Sequence, residues 1–189
     1  AAGRPDEAMA RYDAMLALDP DDAGASYRKG LLLAAGGEAE AAIPFLERYL
    51  AAEPDSADGR RAMAAALERA GLYLRAIEAY AAMTTADEAD AAAWFALARL
   101  RLTKADDSEG GLSALDAAIE KGFKDSAAAK ALLSAEGLAA ADAVESRLKR
   151  AGLLEAGPTD EAQSGSRTDG ESQDKPQDDA SKDDSAGGA

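Results

Sequence analysis

The chain contains no cysteine and no histidine among its 189 residues. Without cysteine it can form no disulfide and no thiolate nucleophile, and without either residue type it can build no Cys/His zinc site. A Ser-His-Asp triad is excluded as well, because the general base of that triad is a histidine. The compartment stays open, because proteins of the cytosol and of the periplasm both exist without disulfides.

Long apolar runs and strand patterns are also missing. No apolar run approaches the roughly 18 residues that span a bilayer, and no signal peptide is visible at the start of the chain. We therefore predict no membrane insertion and favour a cytoplasmic location, with the periplasm as the alternative if a signal precedes the chain. The sequence has a single valine, Val144, and no sustained alternation of β-branched residues that would indicate a strand.

Acidic side chains outnumber basic ones, 36 against 21, which gives a formal net charge of −15. Such a chain is repelled by phosphate backbones and by anionic lipid surfaces, and no long basic run offsets the total. We predict that nucleic acid is not a partner. Residues 155–189 hold ten acids, three bases and none of Leu, Ile, Val, Met, Phe, Tyr or Trp, so we predict that they form a disordered acidic tail.

Before that tail the sequence is rich in alanine and shows helical periodicity. We predict helices near residues 6–18, 24–35, 39–52, 57–70, 73–84, 91–104, 111–121, 126–135 and 139–151. The glycines at 36–37, 71 and 110–111 are expected in turns between helices. Asp21 or Asp22, Asp55 and Asp90 are expected to cap the helices that follow them.

A 34-residue repeat organises these helices. The stretch LALDPDDA at residues 16–23 returns as LAAEPDSA at residues 50–57. Other positions keep the same spacing across two or three units: Ala8, Ala42 and Ala76; Tyr12, Leu46 and Tyr80; Met15, Tyr49 and Met83; Gly30, Ala64 and Ala98; Leu33 and Leu67. Chance rarely keeps so many positions in phase.

This pattern resembles the tetratricopeptide repeat, in which large, small and proline residues recur over 34 positions. The resemblance implies an all-α, right-handed α-solenoid of stacked antiparallel helix pairs, of a bacterial type and apparently cut from a longer chain. We predict the second helix of a truncated repeat at 1–22, repeat units at 23–56 and 57–90, a degenerate unit at 91–124, closing helices at 125–154 and the tail at 155–189.

The resemblance also implies that the first helix of each unit lines a concave groove. Repeat phase then nominates six residues, here called the groove set: Tyr27, Leu31, Arg61, Ala65, Phe95 and Arg99. Their two rows lie one helical turn apart on one face. Two alternatives stay open. In the first, Tyr27 and Phe95 only pack between repeats. In the second, the two arginines only pair with nearby acids.

We expect a non-catalytic scaffold that binds a protein or peptide segment in the groove, where arginine can pair with carboxylates and aromatic side chains supply contact area. No catalytic residue, cofactor site or metal site is predicted, because the sequence lacks a phosphate-binding glycine loop and regularly spaced metal ligands. The alternative is an assembly module that stacks on the rest of a longer chain or self-associates through the ends of its array.

Overall fold

The computed structural model describes residues 5–154, and within that range the chain folds into nine helices and no strand. They are α1 Pro5–Leu18, α2 Ala23–Ala35, α3 Ala39–Ala52, α4 Ala57–Arg69, α5 Tyr73–Ala86, α6 Ala91–Lys104, α7 Ser108–Glu120, α8 Ser126–Leu133 and α9 Ala141–Arg150. The prediction of an all-α fold is confirmed. The predicted tail at 155–189 lies outside the described residues.

Polar side chains in the segments between helices cap the N-terminus of the helix that follows. Asp22 and Asp90 each accept a hydrogen bond from the backbone N–H three residues ahead, at 2.8 and 2.9 Å, as predicted. The prediction for Asp55 is wrong, because the neighbouring Ser56 caps α4 and accepts the corresponding N–H at 3.0 Å. A serine that stands one residue nearer the helix can make the same bond.

Glycines have two different uses along the array. Gly37 and Gly71 have φ values of +89° and +75°, so they form left-handed turns between helices, as predicted. The expected turn at Gly110 and Gly111 is wrong, because both lie in the first turn of α7. A Cβ on Gly111 would lie 2.5 Å from the side chain of Leu102, so this glycine lets α7 pack closely on α6.

Packing follows the order of the chain. Each helix from α1 to α7 packs mainly on its neighbours in sequence, α2 also reaches α4, and α9 packs on α7 and α8. Four alanines at repeat positions are completely buried in the continuous core: Ala42, Ala64, Ala76 and Ala98. Local packing of this kind is typical of a repeat array, in which each unit contacts only the units beside it.

The helix α1 is the least embedded member of this array. None of its side chains is buried, although Met9 packs partly against the core. Lys29 of α2 forms an ion pair with Asp13 of α1, and its ammonium group lies 4.3 Å from the centre of the Phe45 ring of α3. This one lysine therefore joins three consecutive helices.

Candidate functional site

The groove set lies on the three first helices α2, α4 and α6, with two residues on each. Leu31 and Arg61 are exposed, and Tyr27, Ala65 and Arg99 are half-buried. Phe95 is buried, with an exposed fraction of 5%. Five of the six nominated side chains thus reach the surface.

Tyr27 offers a fixed aromatic surface at the α2 end. Its ring lies 4.5 Å from the ring of Tyr49, with 30° between the planes, and the Tyr49 hydroxyl donates a hydrogen bond to Ser56 at 3.0 Å. Burial raises the pKa of Tyr27, and the nearby charge of Asp58 and the Tyr49 phenol raise it further. Leu31 follows one turn later with 40% of its surface exposed, so this end of the groove set is apolar.

Phe95 corrects the expectation of a second exposed aromatic residue. Its ring stacks face to face on Phe123, with 4.0 Å between the ring centres and 7° between the planes. Phe123 belongs to the segment between α7 and α8, where the repeat is no longer in strict phase. For Phe95 the alternative of packing between repeats accounts for the side chain, because it is buried in the array.

Arg61 is paired and still accessible. Its guanidinium lies 2.9 Å from the carboxylate of Asp90 and 3.5 Å from that of Asp58. Because Asp90 also caps α6, Arg61 connects α4 to the start of α6. Half of the Arg61 side chain remains exposed, so it keeps donors for a further contact.

Arg99 belongs to a group of charges that we call the Tyr80 cluster: Tyr80, Arg61, Glu68, Arg69 and Arg99. Arg99 donates to Glu68 at 2.7 Å, and this pair bridges α6 and α4. Burial raises the pKa of Tyr80, a residue that is 8% exposed. The charge of Glu68 raises this pKa further, and the charges of Arg99, Arg69 and Arg61 lower it. All four charges therefore act on one phenol.

Three members of this cluster were not predicted. Glu68 and Arg69 follow Arg61 by seven and eight residues on α4, so they lie two turns along the same face. Extending the phase argument by two turns would have found them. The repeat pattern assigns Tyr80 to packing between repeats. No feature of the sequence predicts that this α5 residue lies near charged residues of α4 and α6.

The described residues line surface cavities and hold no candidate metal site. Between residues 5 and 154 no three side chains of His, Cys, Asp or Glu are grouped as metal ligands, and none of the helices could cross a bilayer. A cavity of about 240 Å³ lies beside Arg61 and is lined also by Ala57, Arg60, Met83, Ala86, Asp87 and Asp90. A second, of about 450 Å³, lies between α1, α2 and the turn that follows α2.

Comparison with known proteins supports the repeat assignment. The family model of the tetratricopeptide repeat matches residues 1–66. A crystal structure of MamA superimposes with a TM-score of 0.66 at 20% identity, covering 79% of this chain and 87% of that chain. MamA from Desulfovibrio magneticus RS-1, residues 41 to the end, gives a TM-score of 0.61 at 21% identity over 79% of this chain and 81% of that one. No curated protein sequence matches the chain.

Proposed function

We propose that this chain, whose residues 1–66 match the tetratricopeptide-repeat model and whose fold is similar to that of MamA, is a non-catalytic scaffold whose groove set binds a segment of another protein. The observation that carries the proposal is the common phase of surface side chains on α2, α4 and α6. Binding residues on successive first helices of an array form one extended surface. A bound segment could contact all three helices at once.

The chemistry of this surface changes along the array. Tyr27 and Leu31 supply an apolar patch on α2, and Ala65 in the middle leaves room for a backbone to approach. Arg61 and Arg99 supply guanidinium groups on α4 and α6, which can pair with carboxylates. A partner segment with one apolar anchor and one acidic side chain fits this order.

The proposal assigns no catalytic residue and no cofactor. The charged side chains of the groove set are ion-paired at a solvated surface, where they can bind a partner by direct contact. The net charge of −15 disfavours nucleic acid as that partner. Protein segments are favoured because aromatic, leucine and arginine side chains together suit their recognition.

Selection from a random peptide-display library on the full chain tests this function. Selected peptides should bind the wild type and should lose roughly tenfold or more in affinity on Leu31→Glu or Ala65→Trp, because these changes place charge or bulk in the groove. Ala82→Trp on the exposed face of α5 is the matched control and should bind like the wild type. Peptides that bind all variants equally would refute groove binding, provided that circular dichroism shows equal helicity.

Self-association through the first end of the described array is a second candidate. Among residues 5–154, three of the five exposed large apolar side chains lie on α1 and α2: Met15, Leu18 and Leu31, with 43%, 89% and 40% exposed. Such a group is typical of an interaction surface. Sedimentation velocity over a concentration series should show a dimer or larger species that Leu18→Glu abolishes. A monomer at all concentrations would exclude this candidate.

A further inference from the structure

Two exposed leucines mark the turn between α4 and α5, and we call them the leucine patch. Leu72 and Leu74 expose 38% and 72% of their surface. Leu72 holds the N-cap position of α5, where its side chain makes no capping hydrogen bond, because it has no acceptor atom. Neighbouring leucines that neither fill the core nor cap a helix are typical of an interaction surface.

Basic side chains border the leucine patch. Arg69 ends α4 just before the patch, is exposed and forms no ion pair or hydrogen bond with a residue in the range 5–154. The ammonium group of Lys104 lies 5.3 Å from the centre of the ring of Tyr73, which stands between the two leucines. Arg75 follows the second leucine and pairs with Glu47 at 3.0 Å, but half of its side chain stays exposed. The patch is therefore apolar at its centre and positive at its rim.

The cavity between α1 and α2 has the opposite charge, and we call it the acidic cavity. Its volume of about 450 Å³ lies in the range of cavities that hold a small ligand. Its lining includes the apolar side chains of Met9 and Leu32 and the carboxylates of Asp6 and Glu38. Neither carboxylate forms an ion pair or hydrogen bond with a residue that the structure describes, and no Lys or Arg among residues 5–154 lines the cavity.

The leucine patch and the acidic cavity lie on one edge of the array. The helices α2 and α3 return as α4 and α5 after 34 residues, so the turns that join each pair occupy the same edge. Glu38 of the cavity and Leu72 of the patch are equivalent positions at this spacing. A two-fold axis that crosses the edge between these turns places the patch of each copy at the cavity of the other. Such a contact forms twice and closes at a dimer.

We propose that the leucine patch and the acidic cavity form the interface of a two-fold dimer of this chain. Leu74 of each copy enters the acidic cavity of the other and packs on its apolar lining. The arginines at the rim of the patch then face the unpaired carboxylates of the cavity. This interface uses neither the groove set nor Met15 and Leu18 of α1, so it goes beyond both functions proposed above.

Charge complementarity favours a second copy of this chain as the occupant of the cavity. Two chains with a net charge of −15 repel each other unless a positive surface of one meets an acidic surface of the other. The cavity fits an aliphatic side chain followed by a base, and the chain presents this pair as Leu74 and Arg75 in an exposed turn. Physiological salt screens the repulsion between charges more than roughly 8 Å apart and weakens close pairs less.

Sedimentation velocity of the full chain over a concentration series, at physiological salt, tests the dimer. The wild type should form a dimer and no larger species. Leu74→Glu should weaken the dimer about tenfold or more, because it places a carboxylate against an acidic surface. Ala35→Trp should have a similar effect, since Ala35 is exposed and lines the cavity. The matched controls Leu18→Glu and Ala52→Trp change exposed residues at the opposite ends of second helices and should dimerise like the wild type.

Introduced thiols test the contact itself, because the chain has no cysteine. A disulfide requires Cα atoms within about 7 Å of each other. With an added oxidant, a mixture of the variants Leu74→Cys and Ala35→Cys should give a cross-linked dimer that contains one chain of each. Neither variant alone should cross-link, since the two-fold axis keeps identical positions apart. Leu18→Cys in place of Leu74→Cys should give no cross-linked product.

Contrary results identify which proposal fails. A monomer at all concentrations, species larger than a dimer, or a mixture of thiol variants that does not cross-link would each overturn this interface. The same holds for a dimer that Leu18→Glu dissociates and Leu74→Glu does not, a result that supports association through α1 instead. Groove binding is tested separately, since Leu74→Glu should bind library-selected peptides like the wild type. Circular dichroism should show equal helicity for all variants.

Discussion

Gly111 shows how single residues set the distance between helices. An added Cβ would lie 2.5 Å from the Leu102 side chain and 3.2 Å from its backbone nitrogen, and that backbone cannot move freely. Gly111→Ala should therefore lower the free energy of unfolding by about 1–3 kcal/mol in urea titrations. Gly24→Ala is the control, since its nearest contact is an ordinary 3.4 Å, and it should raise stability by about 0.5–1 kcal/mol. A higher free energy of unfolding in both variants would contradict the close approach of α7 to α6 at Gly111.

Ala140 carries backbone strain at the start of α9. Its φ of +53° lies in the left-handed region, which costs a residue with a Cβ about 1–2 kcal/mol. Ala140→Gly should therefore raise the free energy of unfolding by about 1 kcal/mol. Ala82→Gly, on the exposed face of α5, should lower it by about the same amount, because glycine is a poor helix former. Destabilisation by Ala140→Gly would show that no strain is relieved there.

The titration of Tyr80 reports the charges around it without any ligand. In a spectrophotometric pH titration, with Tyr80→Phe to assign the signal, Glu68→Gln should lower the Tyr80 pKa and Arg99→Gln should raise it. The folded-state pKa of Tyr80 lies above the unfolded value of about 10. The neutral phenol therefore contributes its full stabilisation below a pH of about 10, and this contribution is lost as the pH rises through the folded-state pKa. Shifts in the opposite directions would contradict the cluster.

At the scale of elements, α1 should open more easily than the helices after it. It buries no side chain, and Lys29 connects it to α2 and α3 through Asp13 and Phe45. Hydrogen exchange should show weaker protection in α1 than in α2–α7, and Asp13→Asn should weaken it further in α1 alone. Glu47→Gln breaks the comparable pair with Arg75 between α3 and α5 and should leave α1 unchanged. Equal protection of α1 and α2 would contradict this.

Helices and joints could be predicted because their signals are local. Alanine-rich periodic segments, left-handed glycines and acidic caps specify where each helix begins and ends, within about three residues here. The predictions failed where the local structure or the burial of a residue depends on contact with another segment of the chain. The start of α7 is one such case, since Gly111 is explained by the approach to Leu102. The burial of Phe95 is another, since it depends on Phe123 in a segment outside the repeat phase.

At the scale of the whole molecule, the repeat phase predicted where surface residues align but not which of them keep free donors. The phase places Arg61 and Arg99 on consecutive first helices, because each unit repeats the same packing. Their ion pairs with Asp90 and Glu68 depend on contacts between units. Arg69 and Tyr80 could be identified as members of the Tyr80 cluster only from such contacts between units. A periodic pattern identifies a surface, and tertiary contacts decide its chemistry.

The most direct test of groove binding is an NMR map of the amide shifts that a library-selected peptide causes in the full chain. The largest shifts should fall on α2, α4 and α6, at the groove residues that reach the surface: Tyr27, Leu31, Arg61, Ala65 and Arg99. They should be absent with Leu31→Glu at the same peptide concentration. Shifts concentrated on the outer faces of α3, α5 and α7, or on α9, would contradict a groove between the first helices.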